Sequence, residues 1–360
     1  MINQNWVSLS RLVPAAAVGL TMLLVPAAAL VLTMLLVPGT ANALPTAPGH
    51  FVSFVDVASG DAVGDVVVVD GAIFVGVGPQ NMPGAGQLVR IDAPGTPGQT
   101  ETVVAEGFTA ISGMDYDAVG GRLIVADNGL EFGGSTGDNV YAVSDPFGSP
   151  ADAPDADDLK ILLDGALPGA ADVSVDPTDP DRLFLTDASS VFPPLGRLLE
   201  ASISGGTASV LESGLGFAAG LATDGATLWV GDVDGTSFEG LVSELAIAAP
   251  GGGLDPLVTG LAGQFDLELL PNGLLLASSG GQLLRIDPSD GGTSVVASGF
   301  GFASGLWAGD SGRLYALDGF ASGVNEPSNR IWIFTPVPEP ATGLLLACGL
   351  LGLSLRRGRD

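Results

Sequence analysis

Three aspartates and three glycines recur at matching places along the chain and are its strongest candidates for chemistry. With the repeats described below aligned on their hairpins, Gly113, Asp172, Gly220, Asp266 and Gly305 share one position, and Asp65 or Val66 takes it in the first copy. If that position faces a common axis, two or three carboxylates converge there, with Gln264, Ser112 and Ser304 as oxygen-bearing neighbours. Hard oxygen donors of this kind suit Ca²⁺. Asp172, Asp266 and Gln264 are therefore the candidate ligand-binding residues, and Asp65, Asp172 and Asp266 the candidate Ca²⁺ set. The plainer reading has the aspartates accepting backbone N–H bonds without a metal, and it is preferred because half the axial positions are glycine and bring no donor.

Composition removes most other chemistry. The 360 residues include one His and one Cys, His50 and Cys348, so the body between them has no Cys nucleophile, His-based triad, disulfide or Cys/His zinc site. Acids outnumber bases 40 to 12, a formal charge of -28, which argues against nucleic acid and anionic lipid as partners. Residues 144–158 hold three prolines and five aspartates and read as an exposed loop. Asp152, Asp155, Asp157 and Asp158 lack the spacing of a calcium loop.

The elements that must position the axial residues are repeats. Gly86-Gln87-Leu88-Val89-Arg90-Ile91-Asp92 is echoed by Gly281-Gln282-Leu283-Leu284-Arg285-Ile286-Asp287. Apolar strands start at residues 73, 123, 183, 228, 274 and 314, giving six copies with spacings of 50, 60, 45, 46 and 40. Each reads as the fourth strand of a four-stranded unit, and units of this length are propeller blades. The chain is thus expected to be all-β, a six-bladed β-propeller over 44–335. Its closure is expected from the C-terminal strand Asn329–Phe334 completing the blade begun by Phe51–Val77, which would leave no free sheet edge. Glycine, 54 residues in all, is assigned to the hairpins and loops of the blades.

The two ends read as addresses. Arg11, the apolar stretch Leu12–Val37 and Ala41-Asn42-Ala43 form a signal peptide over 1–43, cleaved after Ala43 by signal peptidase. The apolar stretch contains a tandem 12-mer and approaches the ~20 residues of a membrane span, so an uncleaved anchor competes. At the other end, residues 336–360 contain Pro338-Glu339-Pro340, an uncharged segment Thr342–Leu355 and Arg356-Arg357-Gly358-Arg359. Cationic residues stay on the cytoplasmic side of a membrane helix.

That tripartite tail resembles the PEP-CTERM sorting signal of bacterial surface proteins. The resemblance implies processing by a membrane exosortase at the Pro-Glu-Pro motif, transient insertion through the C-terminal helix, and delivery to the cell surface or exopolysaccharide matrix. Leu314-Tyr315-Ala316-Leu317-Asp318 with Asn329-Arg330-Ile331 resembles an NHL-type propeller repeat, which supports fold alone. The axial acids also invite comparison with calcium-dependent lactonase-type six-bladed propellers. Three functions are therefore weighed: a non-enzymatic binding module for exopolysaccharide or surface proteins, a Ca²⁺-dependent lactonase-like hydrolase, and a structural matrix protein with no small ligand.

Overall fold

A computed structural model describes residues 45–337 apart from 59–61, 79–83, 129–138, 149–159, 163–168, 189–195, 206–207, 235–236, 238, 250–251, 264–265, 302, 310 and 319–329. The signal peptide with its cleavage site after Ala43, the C-terminal helix, Pro338, Glu339, Pro340, Gln264 and most of the acidic loop lie outside the described residues.

Strand β1 (His50–Asp56) precedes six four-stranded antiparallel units. The first blade holds β2 (Ala62–Val69), β3 (Ala72–Val77), β4 (Gly86–Asp92) and β5 (Thr100–Phe108). The second holds β6 (Ile111–Asp117), β7 (Arg122–Asp127), β8 (Asn139–Ser144) and β9 (Lys160–Leu162). The third comprises β10 (Ala170–Val175), β11 (Arg182–Asp187), β12 (Gly196–Ser202) and β13 (Ser209–Leu215), and the fourth β14 (Phe217–Thr223), β15 (Thr227–Val233), β16 (Gly240–Ala246) and β17 (Asp255–Leu261). The fifth comprises β18 (Leu267–Leu269), β19 (Leu275–Ser279), β20 (Gln282–Ile286) and β21 (Thr293–Ser298). The sixth is β22 (Ala303–Ala308), β23 (Leu314–Asp318) and β24 (Arg330–Pro336), completed by β1. The first strands of successive blades touch around a closed ring, making a six-bladed β-propeller.

Two expectations need correction. The six apolar copies are second strands, β3, β7, β11, β15, β19 and β23, because each pairs with the inner strand on one side and a third strand on the other. The seam also differs from the expected one. Residues 51–56 and 62–77 belong to different blades: β1 pairs with β24 over His50↔Pro336 to Asp56↔Arg330, and β2 opens the first blade. The N-terminal strand therefore closes the last blade from outside, and β24 runs one residue past the expected boundary, to Pro336.

Both faces of each blade are covered by a neighbour, which explains why second strands are apolar throughout. Phe74 packs toward the second blade with Met114, Leu123 and Tyr141, whereas Ile73 and Val75 pack toward the sixth with Leu317 and Ile331. Phe184 faces the fourth blade, and Leu183 and Leu185 face the second. Alternate residues thus serve two different interfaces. Each of the six interfaces has its own apolar cluster among the described residues, with apolar packing in place of disulfides. The base of the acidic loop is held by Phe147, edge-on to Phe74 with ring centroids 5.4 Å apart, and by Arg90, which donates to the Pro146 carbonyl.

The acids outside the axis fix turns. Asp117 accepts from the Val119 and Gly120 N–H groups and from Arg122; Asp176 accepts from Thr178 and Arg182; Asp224 accepts from the Ala226 and Thr227 N–H groups. Short carboxylate side chains favour such local bonds. At the ends of the second strands, Asp127 accepts from the Thr109 and Ala110 N–H groups and Asp232 from Gly216 N–H, tying the blade-to-blade connections. Asp127→Ala is expected to leave those donors without their carboxylate partner and to cost about 1–3 kcal/mol in urea denaturation.

Candidate axial site

A one-residue register shift precedes the axial residue in four blades, between Ile111 and Gly113, Ala170 and Asp172, Ala218 and Gly220, and Ala303 and Gly305. Such a bulge bends the strand and re-aims the next side chain. In the first blade the shift falls between Ala62 and Val66, and Asp65 is the axial residue. Asp266 directly precedes β18.

The carboxyls make one repeating bond pattern. One oxygen of Asp65 accepts from its neighbour Val66 N–H (2.6 Å), and the other accepts from Met114 N–H (2.8 Å) in the second blade. Asp172 bonds Val173 N–H (2.7 Å) and Leu221 N–H (2.7 Å) in the fourth. Asp266 bonds Leu267 N–H (2.6 Å) and Leu306 N–H (2.5 Å) in the sixth. Each cross-blade donor follows an axial glycine, so each aspartate staples its own blade to the next.

The glycines serve the other three contacts. A Cβ on Gly113 would lie 2.6 Å from the Asp172 Cα, and one on Gly305 2.6 Å from the Asp65 Cα; at Gly220 it would lie 2.8 Å from the Leu267 nitrogen. Real Cβ atoms do not approach backbone so closely. Acid and glycine therefore alternate because a blade that reaches forward with a carboxyl must be met from behind by a residue with no side chain.

All three axial aspartates are buried. Burial lifts the Asp65 and Asp172 carboxyls well above the usual range; neighbouring Asp266 raises both further, and Asp172 also raises Asp65. Asp266 is pushed up to about 7 by burial, moderated by its backbone bonds and a side-chain bond with Asp65. A carboxyl–carboxyl bond requires a proton between the two oxygens.

Asp115 and Glu268 form a second tier that sequence reading did not single out. They stand two residues beyond Gly113 and Asp266, so the two-residue repeat of a strand puts them on the same face, which is the signal that could have found them. Asp115 accepts from Tyr116 N–H (2.6 Å) and from Val175 N–H (2.7 Å) in the third blade. Burial carries it to about 6, while burial and then the charge of Asp115 raise Glu268 well above its ordinary value.

These raised values fix a pH dependence. A carboxyl whose folded pKa exceeds its unfolded value keeps its proton longer when folded, so its contribution is full below the unfolded pKa and is lost as pH rises through the folded one. Stability should therefore decline from about pH 4, through about 6 for Asp115 and about 7 for Asp266. Urea midpoints measured from pH 4 to 8 should fall, and Asp266→Asn should flatten the upper part; a midpoint that rises over this range contradicts the assignment.

Both tiers line a cavity of about 530 Å³ running along the axis to the hairpins at Asp117, Asp176 and Asp224. Trp307 and Tyr116 add aromatic surface, Ser174 and Thr223 add hydroxyls, and no basic side chain is among the described lining residues. Of the expected neighbours, Ser112 donates to the Ala170 carbonyl (2.7 Å), and the buried Ser304 hydroxyl has no partner among the described residues. Trp229 and Trp332 are buried between blades, leaving Trp307 as the tryptophan that lines the cavity. Calcium takes ~6–8 oxygen ligands, whereas here each axial carboxyl oxygen already accepts a backbone N–H and three axial positions carry no side-chain oxygen. Among the described residues no group of three or more His, Cys, Asp or Glu side chains is arranged to hold a metal ion.

Residues 336–359 match the PEP-CTERM protein-sorting motif. That motif implies export, exosortase processing and sorting to the cell surface. No curated protein matches the sequence. Among solved structures the chain is similar to a gluconolactonase from Xanthomonas campestris, with 18% identity, coverage of 78% of this chain and 87% of that one, and a TM-score of 0.55. It is also similar to the calcium-binding protein regucalcin from Agrobacterium tumefaciens (13% identity, coverage of 81% and 94%, TM-score 0.56). A Trichoderma reesei member of Carbohydrate-Active Enzymes Family AA12 gives 11% identity, coverage of 83% and 100%, and a TM-score of 0.53. At such identities the likeness shows the fold alone. The chain is a six-bladed β-propeller that carries a PEP-CTERM protein-sorting motif.

Proposed function

We propose that this protein is an exported cell-surface or matrix component whose propeller is a non-enzymatic binding module, taking its ligand in the axial cavity. The observation that supports this reading is the use of the axial carboxyls. Asp65, Asp172 and Asp266 spend their oxygens on backbone donors of two blades, so they hold the ring together instead of presenting free donors to a metal or a base to a substrate. Glu268, Tyr116 and Trp307 also line the cavity and combine an acceptor with two rings, whereas the Thr223 hydroxyl is already bonded to the Thr227 carbonyl and the Gly225 N–H, and Ser174 to Asp115. That set suits a polyhydroxylated ligand such as a matrix saccharide, whose hydroxyls can donate to carboxyl oxygens and whose apolar face can stack on Trp307. No His or Cys is present among the described lining residues.

The hydrolase reading rests on the carboxyls at the axis and on the similar structures, which include a gluconolactonase and a calcium-binding regucalcin. One pair of measurements separates the readings. Purified propeller should bind polysaccharide isolated from the producing cell's matrix, with affinity reduced about tenfold or more in Trp307→Ala if a stacking contact of about 1.4 kcal/mol or more is lost. Lactone hydrolysis that disappears in Asp172→Asn would overturn the binding-module reading.

A further inference from the structure

We propose that one edge of the sixth blade, where both chain ends leave the propeller, is the surface that rests on the lipid bilayer while the precursor is membrane-held. The inference depends on the tail acting as a membrane segment, as the export reading above has it. The antiparallel pairing of β1 with β24 sets His50 opposite Pro336, and Val337 N–H continues the ladder by donating to the Gly49 carbonyl (2.9 Å). Thr46 ties the same edge to the fifth blade through paired backbone bonds with Ser298 (2.9 and 3.0 Å). The N-terminal and C-terminal exits are thus neighbours, and the ordered ladder runs to the residue before Pro338.

The distance to the bilayer follows from the sequence. The uncharged apolar segment begins at Thr342, five residue steps beyond Val337. Five extended steps span at most roughly 18 Å. With Thr342–Leu355 in the hydrocarbon, this edge is held within roughly 18 Å of the membrane segment.

Its chemistry suits that position. In a chain with 40 acids, residues 44–55 and 331–338 contain none. These two stretches therefore lack the negative charge that opposes lipid binding elsewhere on this protein. Phe51 is 63% exposed and Val337 40%, two of the few large apolar side chains at the surface, and Phe51 stands two residues from the Gly49 that bonds Val337. Aromatic side chains at such a position sit readily at headgroup level. The nearest charged pair, Arg330 with Asp56, lies at the far end of the ladder, where the guanidinium covers the Phe54 ring at 4.2 Å.

The test uses the chain from Leu44 to Asp360, the product expected after leader cleavage and so without the apolar stretch Leu12–Val37, in phosphatidylcholine vesicles that contain a headgroup-nitroxide lipid. With Cys348→Ala as background, Phe51→Cys and Val210→Cys each receive one fluorophore; Val210 is half-exposed on β13 of the third blade, across the ring. Flotation with vesicles reports insertion of the tail, and quenching reports the docked surface. Quenching several-fold stronger at residue 51 than at residue 210 is expected. Protein that floats with equal quenching at both sites, or none at residue 51, overturns the docking surface alone. Protein that does not float overturns the membrane-held tail and the docking with it.

Discussion

Gly113→Ala, Gly220→Ala and Gly305→Ala should each destabilise the propeller by about 3 kcal/mol, the upper part of the range for overpacking. The added methyl of Gly113→Ala or Gly305→Ala would meet the Cα of an axial aspartate at 2.6 Å, and that of Gly220→Ala the Leu267 nitrogen at 2.8 Å, atoms that cannot rotate away. Relief requires one blade to retreat from the next, and because the same blade carries the N–H of Met114, Leu221 or Leu306 that an axial aspartate grips from the other side, the retreat presses on that stapled contact. Gly252→Ala is the control, since its Cβ would meet nothing closer than 3.5 Å. That variant should stay within ~0.5 kcal/mol of the parent, as surface changes do. Equilibrium urea unfolding measures all four, and equal costs at the axis and at Gly252 would remove the packing explanation for the alternation of acid and glycine.

Glu339→Ala is expected to leave the protein as an unprocessed precursor in the membrane fraction, still bearing its basic tail. Glu339 is the single charged residue between Arg330 and Arg356, and the prolines on either side restrict it to extended backbone. An enzyme that recognises this stretch has one charge to read, and alanine deletes it. Glu339 lies outside the described strands of the propeller, and the urea midpoint of the variant is expected to equal that of the parent. Cell fractionation with mass analysis of the C-terminus gives the result. Normal maturation of the variant would mean that the motif is not what the processing enzyme reads.

The sequence carried the blade count because every second strand is buried on both faces, so it shows as a run such as Ile73-Phe74-Val75 instead of an alternating pattern. It also carried the alternation of Asp172 and Asp266 with Gly113, Gly220 and Gly305, since hairpin alignment needs no knowledge of neighbouring sheets. Two properties were not legible. The rank of a strand within its blade depends on hydrogen-bond partners, so the six copies looked like outer strands when they are the second from the axis. The same limit hid the seam, where β1 and β2 are adjacent in sequence and belong to different blades.

The reach of the axial carboxyls was hidden for a related reason. Whether Asp172 touches Leu221 is decided by how two separate sheets stack, a relation between residues 49 apart that no local pattern encodes. Asp115 and Glu268 were within reach of the two-residue rule, but each was masked by the weak apolar pattern of its inner strand, Ile111–Asp117 and Leu267–Leu269. The sorting motif was legible, because it is defined by residue type and order alone.

The central claim is that the axial aspartates join blades and do not form a calcium centre. Thermal unfolding of the purified protein across a Ca²⁺ titration tests it most directly, because a ligand bound only by the folded state adds about 2.7 kcal/mol at a concentration one hundred times its Kd. The midpoint should move no further with millimolar Ca²⁺ than with the same concentration of Mg²⁺, in the parent and in Asp172→Asn alike. A midpoint that climbs with the logarithm of Ca²⁺ in the parent, and stays flat in Asp172→Asn, would contradict the account.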